Sequence, residues 1–189
     1  IAQCLVGSEM CIRDRSDIQT GSKWANAMTT DGSMWVWLPR YAYKITEGYH
    51  TNVAGTIEVA FLDTNNKFLN GETGEITTNP EEEGAGQTKW LVHPAFTANA
   101  TNGGGFGEIT GIWVAKFEAT GTYSNGDASK VSVKPGEQSL RSMTINDQYK
   151  AGKNATYGEN INLNSHMAKN SEWGATCLLY TSDAADDLI

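Results

Sequence analysis

The chain has little with which to do thiol or redox chemistry. Its three cysteines, Cys4, Cys11 and Cys177, all lie near the ends, and the long middle has none. A disulfide framework, a catalytic thiol and a cysteine metal site therefore have no residues to rest on between 16 and 176. No apolar run approaches the ~20 residues that cross a bilayer. Basic charge is also short: 14 Lys and Arg stand against 22 Asp and Glu, a net charge of −8. Such a surface repels a phosphate backbone, and no basic stripe is visible, so nucleic-acid binding is disfavoured.

The two ends do not read as native protein. Val6-Gly7-Ser8-Glu9-Met10-Cys11-Ile12-Arg13-Asp14 resembles a translated sequencing-library adapter. Cys177-Leu178-Leu179-Tyr180-Thr181-Ser182-Asp183-Ala184-Ala185-Asp186 resembles the same adapter read from the opposite strand. One codon string for the first contains gatgtgtataagagaca, and its reverse complement encodes the start of the second. Residues 1–15 and 177–189 are accordingly read as adapter-derived. The native part, 16–176, is expected to form one domain cut at both ends. Without Arg13, Arg15, Glu9, Asp14, Asp183, Asp186 and Asp187 it holds 12 basic and 17 acidic residues, a net charge of −5. All six tryptophans fall within it. Each ring buries roughly 150–250 Å² when packed, and about 160 residues suffice for one ordinary core.

The segment that stands out is Gly111-Ile112-Trp113-Val114-Ala115-Lys116-Phe117-Glu118, an apolar run between glycine-rich stretches. Its Ile, Val, Trp and Phe suit a strand. Trp113, Ala115 and Phe117 alternate with Ile112 and Val114, so its first half is expected to be covered on both faces. Met34 to Leu38, ended by Pro39, and Trp90 to Val92, closed by Pro94, are expected to pack with it. Tyr41, Tyr43 and Ile45 predict a half-buried strand, as do Ile57, Val59 and Phe61 in Thr56–Leu62. Lys23 to Met28 reads as a short amphipathic piece, and Asp31-Gly32 as a tight turn. Residues 97–107, 121–129 and 159–164 read as polar, Gly- or Asn-rich loops, and Lys130 to Val133 as a brief strand. Ser139–Asn154 reads as helix with Leu140, Met143, Ile145, Tyr149 and Ala151 on one face, although Thr144 offers a restart. A second helix is expected from Lys169 or Asn170. Glu172 lies in its first turn, where the helix dipole favours an acid, and Met167 and Trp173 are expected to be buried.

Few residues invite chemistry. Arg40 beside two tyrosines reads as a stacked structural arginine, with a ligand handle as the alternative. His93 has no second histidine at ligand spacing and no adjacent acid, so it reads as bonding local backbone. The acids from Asp63 to Glu75 miss calcium-loop spacing, because Lys67 sits where the fifth ligand belongs. Glu81, Glu82 and Glu83 read as a solvated run. Glu118 with His166 has no motif spacing. No catalytic, cofactor-binding or metal-ligating residue is assigned, and no cofactor is expected.

Four blocks, taken in order, carry a resemblance: Trp35 through Tyr43, Val92 through Phe96, Gly111 through Glu118, and Ser165-His166-Met167 through Glu172-Trp173-Gly174. They look like a family of uncharacterised surface proteins from gut Firmicutes and their prophages. Its members often follow a prepilin-type leader or sit among phage appendage genes. No activity comes with that resemblance. More distantly, Trp113-Val114-Ala115-Lys116-Phe117-Glu118-Ala119-Thr120 and Met167 to Trp173 are similar to the formylglycine-generating, sulfatase-modifying form of the C-type-lectin-like fold. Residues 139–154 then take the place of its first long helix. The enzymes' copper-binding cysteines would fall beyond 176, so no functional residue is carried over.

The fold expected is therefore α+β, irregular and strand-and-loop-rich, of C-type-lectin-like, sulfatase-modifying type, truncated at both ends. The function expected is a non-enzymatic binding or structural module at the bacterial surface or on a phage virion. Its partner would be a protein or glycan, with no nucleic acid and no membrane span in this fragment. Loops 97–107 and 121–129 are expected to present amides and hydroxyls; Trp37, Tyr41 and Tyr43 each read as core packing, with a stacking surface as the alternative. An oxidase fragment of the sulfatase-modifying kind, lacking its cysteine site, is the enzymatic alternative.

Overall fold

The computed structural model describes residues 25–69, 71–98, 107–159 and 163–186. Most of loop 97–107, part of 159–164, the start of the 23–28 piece and the 1–15 segment lie outside the described residues. The architecture is mixed and rich in strands and turns, with two α-helices among the described residues. It falls into two compact units, one of 1–37 with 113–167 and the other of 38–112 with 168–189.

In the first unit, β1 (Asn26–Met28) folds back on β2 (Met34–Pro39) with Asn26 opposite Val36 and Met28 opposite Met34. The expected Asp31-Gly32 turn joins them. The Asp31 carboxylate accepts from Thr29 Oγ1, Ser33 N and Ser33 Oγ at 2.8–2.9 Å, so the turn carries its own polar staple. Ser33 Oγ in turn accepts from Val133 N at 2.9 Å, fixing the strand end to a segment 100 residues away.

On the far side of β2 lies Gly111–Ala115, which ends this sheet; its order is β1-β2-Gly111–Ala115. The apolar run is thus an edge strand, half-buried over most of its length. A continuous apolar stretch does not distinguish a centre from an edge, and here β2 takes the centre because it has a partner on each side.

The second unit is built on β3 (Tyr41–Glu47). Antiparallel β4 (Thr56–Phe61) and β6 (Trp90–Val92) flank it, and β5 (Ile76–Thr77) runs parallel to β6. The order is β4-β3-β6-β5. Trp90 to Val92 therefore belongs to this sheet and not to the one containing Trp113. Arg40, Tyr41 and Ala42 are all fully buried, so the start of β3 is covered on both faces. The expected one-sided strand is overturned there.

On β4 the inward face is the reverse of that expected. Ala60 (0% exposed) and Leu62 (2%) are buried, whereas Ile57 is 41% exposed. Ala60 lies opposite Ala42. Two methyl side chains at that crossing leave room for Trp90 and Phe68, whose rings meet edge-on at 5.6 Å. Bulk arriving from elsewhere decided which face went in, a quantity that alternation along one strand does not carry.

Gly111–Ala115 is named β7 in chain order. The supposed loop 121–129 is a hairpin, β8 (Thr120–Ser124) against β9 (Asp127–Ser132). Asn125 at φ 51° and Gly126 at φ 88° turn it, the left-handed pair that matches strand twist. Glycine density hid a strong turn signal. Buried Val131 and Val133 pack with Ala128, Ala151, Ala155 and Tyr157, and Trp35 meets Tyr157 edge-on at 4.7 Å.

Helix α1 covers only Ile145–Asn154. Thr144 caps it, accepting from Asp147 N at 3.1 Å while its hydroxyl donates to the Asp147 carboxylate. The restart at Thr144 is the true beginning. Leu140 and Met143 reach the core from the chain before it, while Ile145 (81%) and Tyr149 (49%) face water.

Helix α2 (Asn170–Asp186) starts where expected, with Glu172 Oε2 accepting from Lys169 N at 2.8 Å. Its contacts with the core come through Ala175 and Leu179. Trp173 (65%) and Met167 (43%) are exposed, against expectation. From 177 on, the helix runs in the segment read as adapter-derived.

The reversed face of β4 gives a direct test. Leu62→Ala should cost about 2–4 kcal/mol, and Ile57→Ala within about 1 kcal/mol, both read as shifts in urea midpoint. Equal losses would mean that the inward face has been misassigned.

Candidate functional site

The residues that invite chemistry are best judged by what they touch. Arg40 follows Pro39, where β2 ends and β3 begins, and its side chain is fully buried. Its Nε and Nη2 both donate to Asn66 Oδ1, at 3.2 and 2.8 Å. Nη1 donates to the Phe96 and Ile109 carbonyls, and Nη2 also to the Glu108 carboxylate. The main chain adds Arg40 N to Thr110 O at 2.8 Å and Leu62 N to Arg40 O at 2.9 Å. All five donor directions of the guanidinium are spent on oxygens of the same unit. The residue is structural, as read, but it is held by a cage of acceptors instead of a ring face.

His93 caps the short 3-10 turn Pro94–Phe96, its Nδ1 accepting from Ala95 N at 3.3 Å. Accepting at Nδ1 puts the proton of the neutral ring on Nε2. The rings of Tyr41, Phe96 and Tyr43 lie 5.3, 6.2 and 5.9 Å from it. Burial among them lowers its pKa from 6.5 to about 4. A neutral imidazole engaged with backbone is a poor general base at neutral pH, and the local-backbone reading holds.

Tyr41 is fully buried and donates from its hydroxyl to Ala175 O at 2.8 Å. Burial, with Tyr43 adding to it, pushes its pKa far up. Tyr41 is therefore a core residue and offers no stacking surface. Tyr43 is half-buried, and Trp37 is half-buried and tilted against Trp113 at 5.1 Å. The indole nitrogen of Trp113 is buried without a hydrogen-bond partner among the described residues.

The acids are occupied in the same way. Asp63 Oδ1 accepts from Asn65 N and Lys67 N at 2.8 and 2.9 Å, and the Lys67 amide is the main cause of its lowered pKa. The carboxylate of the former calcium candidate thus holds its own turn. Glu82 is not simply solvated: it accepts from Thr77 Oγ1 and Lys89 Nζ, and Lys89 also meets Glu75 at 2.9 Å. Lys89 is the chief cause of the lowered Glu82 pKa. Glu118 is exposed, and His166 Nδ1 lies 2.9 Å from Asn164 O. Among the described residues no three His, Cys, Asp or Glu side chains gather closely enough to hold a metal ion.

What the sequence reading passed over is the far end of the β3–β4 hairpin. Tyr49 is 46% exposed there, and its ring centroid lies 4.3 Å from that of His50. A tyrosine next to a histidine, between Gly48 and Gly55, is the available signal. No protein-family model, curated protein or solved structure matches the chain.

Two outcomes follow from this geometry. Arg40→Met should cost about 3 kcal/mol in urea unfolding, because it strands several buried acceptors. Glu108→Gln should cost about 1 kcal/mol, since its side chain is half in water and the amide oxygen still accepts. The second concerns pH. The His93 pKa is lower folded than unfolded, so its neutral form favours the native state. Stability from this source is complete above pH 6.5 and falls as pH drops from there to about 4, where the native state also protonates. The span is on the order of 2–3 kcal/mol. His93→Gln should flatten the stability profile between pH 7 and 4.5, and an unchanged slope would contradict the assignment.

Proposed function

We propose that this chain is a non-enzymatic, surface-exposed binding or structural module of a bacterium or its phage, taking a protein or glycan partner. One observation carries the reading. The side chains best suited to chemistry, Arg40, His93, Asp31, Asp63 and Glu82, spend their hydrogen-bonding capacity on holding turns and crossings. Exposed aromatic rings lie elsewhere: Tyr49 on the turn after β3, Phe117 just past β7, and Tyr149 and Trp173 on the two helices. The resemblance of the four ordered blocks to surface proteins of Firmicutes and their prophages supports the same reading.

The finer fold proposal is a C-type-lectin-like arrangement of the sulfatase-modifying type. It is supported by the chain order of an apolar strand at 111–115, a helix at 145–154 and a helix start at Asn170.

Fluorescently labelled full-length chain should bind intact Firmicutes cells or purified virions saturably, with unlabelled chain competing. A purely structural module would instead self-assemble, seen by sedimentation. Absence of both saturable binding and self-assembly would overturn the proposal.

A further inference from the structure

Beyond Ile45 and Ile57 the two strands β3 and β4 continue as an arm. Residues 46–58 are exposed throughout, except for half-buried Gly48. The arm has a tight neck. A Cβ on Gly48 would stand 2.5 Å from Gly55 Cα, and one on Gly55 2.6 Å from Glu47 O, so the two backbones touch where only glycine fits. Above the neck, Thr51 N and Oγ1 both donate to Gly48 O at 3.2 and 3.1 Å, closing the loop on itself.

At the tip the Tyr49 and His50 rings pack against each other, 35° apart in plane and 4.3 Å between centroids, and Tyr49 stays 46% exposed. Val53, 67% exposed, follows on the same loop.

Two features select the partner. First, residues 48–55 contain no Asp, Glu, Lys or Arg. The charges at the base are engaged there: Lys44 pairs with Glu58 at 3.1 Å, and Glu47 accepts from Thr56 Oγ1 at 3.4 Å. The tip has no charge with which to hold an ionic ligand. Second, eight residues cannot supply the ~800 Å² per partner of a standard protein interface. One exposed tyrosine ring, followed in the chain by the Thr51 hydroxyl and the exposed Asn52 amide, fits a smaller object, one with an apolar face and a neutral hydrogen-bonding rim. A pyranose ring has that form.

We propose that the tip of the β3–β4 arm binds a neutral oligosaccharide. The sugar's C–H face stacks on the Tyr49 ring, which His50 backs, and its hydroxyls bond Thr51 and Asn52. This deepens the binding-module reading and rests on it.

The test uses full-length chain passed over immobilised cellohexaose, maltohexaose and chitohexaose. At least one should be retained with a Kd on the order of 1 mM or tighter, unchanged between low and high salt because no charge takes part. Tyr49→Ala should weaken retention roughly tenfold while leaving the urea midpoint unmoved. Phe117→Ala, which removes an exposed ring (37%) in the other unit, should leave retention as it was. Failure to retain all three sugars, or retention unaffected by Tyr49→Ala, overturns the inference. Saturable cell binding without sugar retention removes this inference and leaves the module reading standing. Loss of both, with no self-assembly, removes both.

Discussion

A positive charge taken wholly out of water at Arg40 sets the terms for the second unit. Burying an ion costs several kcal/mol unless its donors are satisfied, so the surrounding chain must deliver acceptors at fixed points. It does so from Asn66 in the turn after β4, from Phe96 at the end of the 3-10 turn, and from Glu108 and Ile109 ahead of β7. Those segments are far apart in sequence, and none lies in a strand or an α-helix. The guanidinium holds them in one arrangement because its planar fork tolerates little variation in where oxygens sit.

The same economy recurs at smaller scale. Asp31 organises the β1–β2 turn, Asp63 the turn after β4, His93 the turn after β6, and Thr144 with Asp147 the start of α1. In a chain whose described strands and helices are mostly short, local side-chain bonds to backbone do the work that long ladders do elsewhere. The consequence is functional as well as structural. A carboxylate or imidazole already accepting from amides is not free to exchange protons or hold a ligand. The exposed rings, hydroxyls and amides carry no such duty, and the β3–β4 arm holds several of them on a loop closed by its glycine neck.

Much of the local structure could be read from the chain. The strand at Met34–Pro39, the turn at Asp31-Gly32 and the helix start near Asn170 each carry a signal within a few residues: β-branched and aromatic runs, a turn dipeptide, an acid in the first helical turn. His93 was legible as structural because it had no companion at the spacing that chemistry needs, and Arg40 from its place beside two tyrosines, although its partners proved to be oxygens and not rings. The hairpin at 120–132 was missed although Asn125-Gly126 announces it, since the glycines and threonines around that pair read equally well as loop.

By itself the amino-acid sequence determined many of the turns and the shortage of chemistry: no cysteine between Cys11 and Cys177, no metal spacing, acidic charge and turns spelled out in Asp, Asn and Gly. Only the tertiary structure decided which faces were buried. It put the 111–115 strand at an edge, turned Ala60 and Leu62 inward in place of Ile57, and left Trp173 and Ile145 in water. Burial depends on the volume that distant segments bring to the same place. At the Ala42–Ala60 crossing that volume is Trp90 and Phe68, and nothing within β4 foretells their arrival.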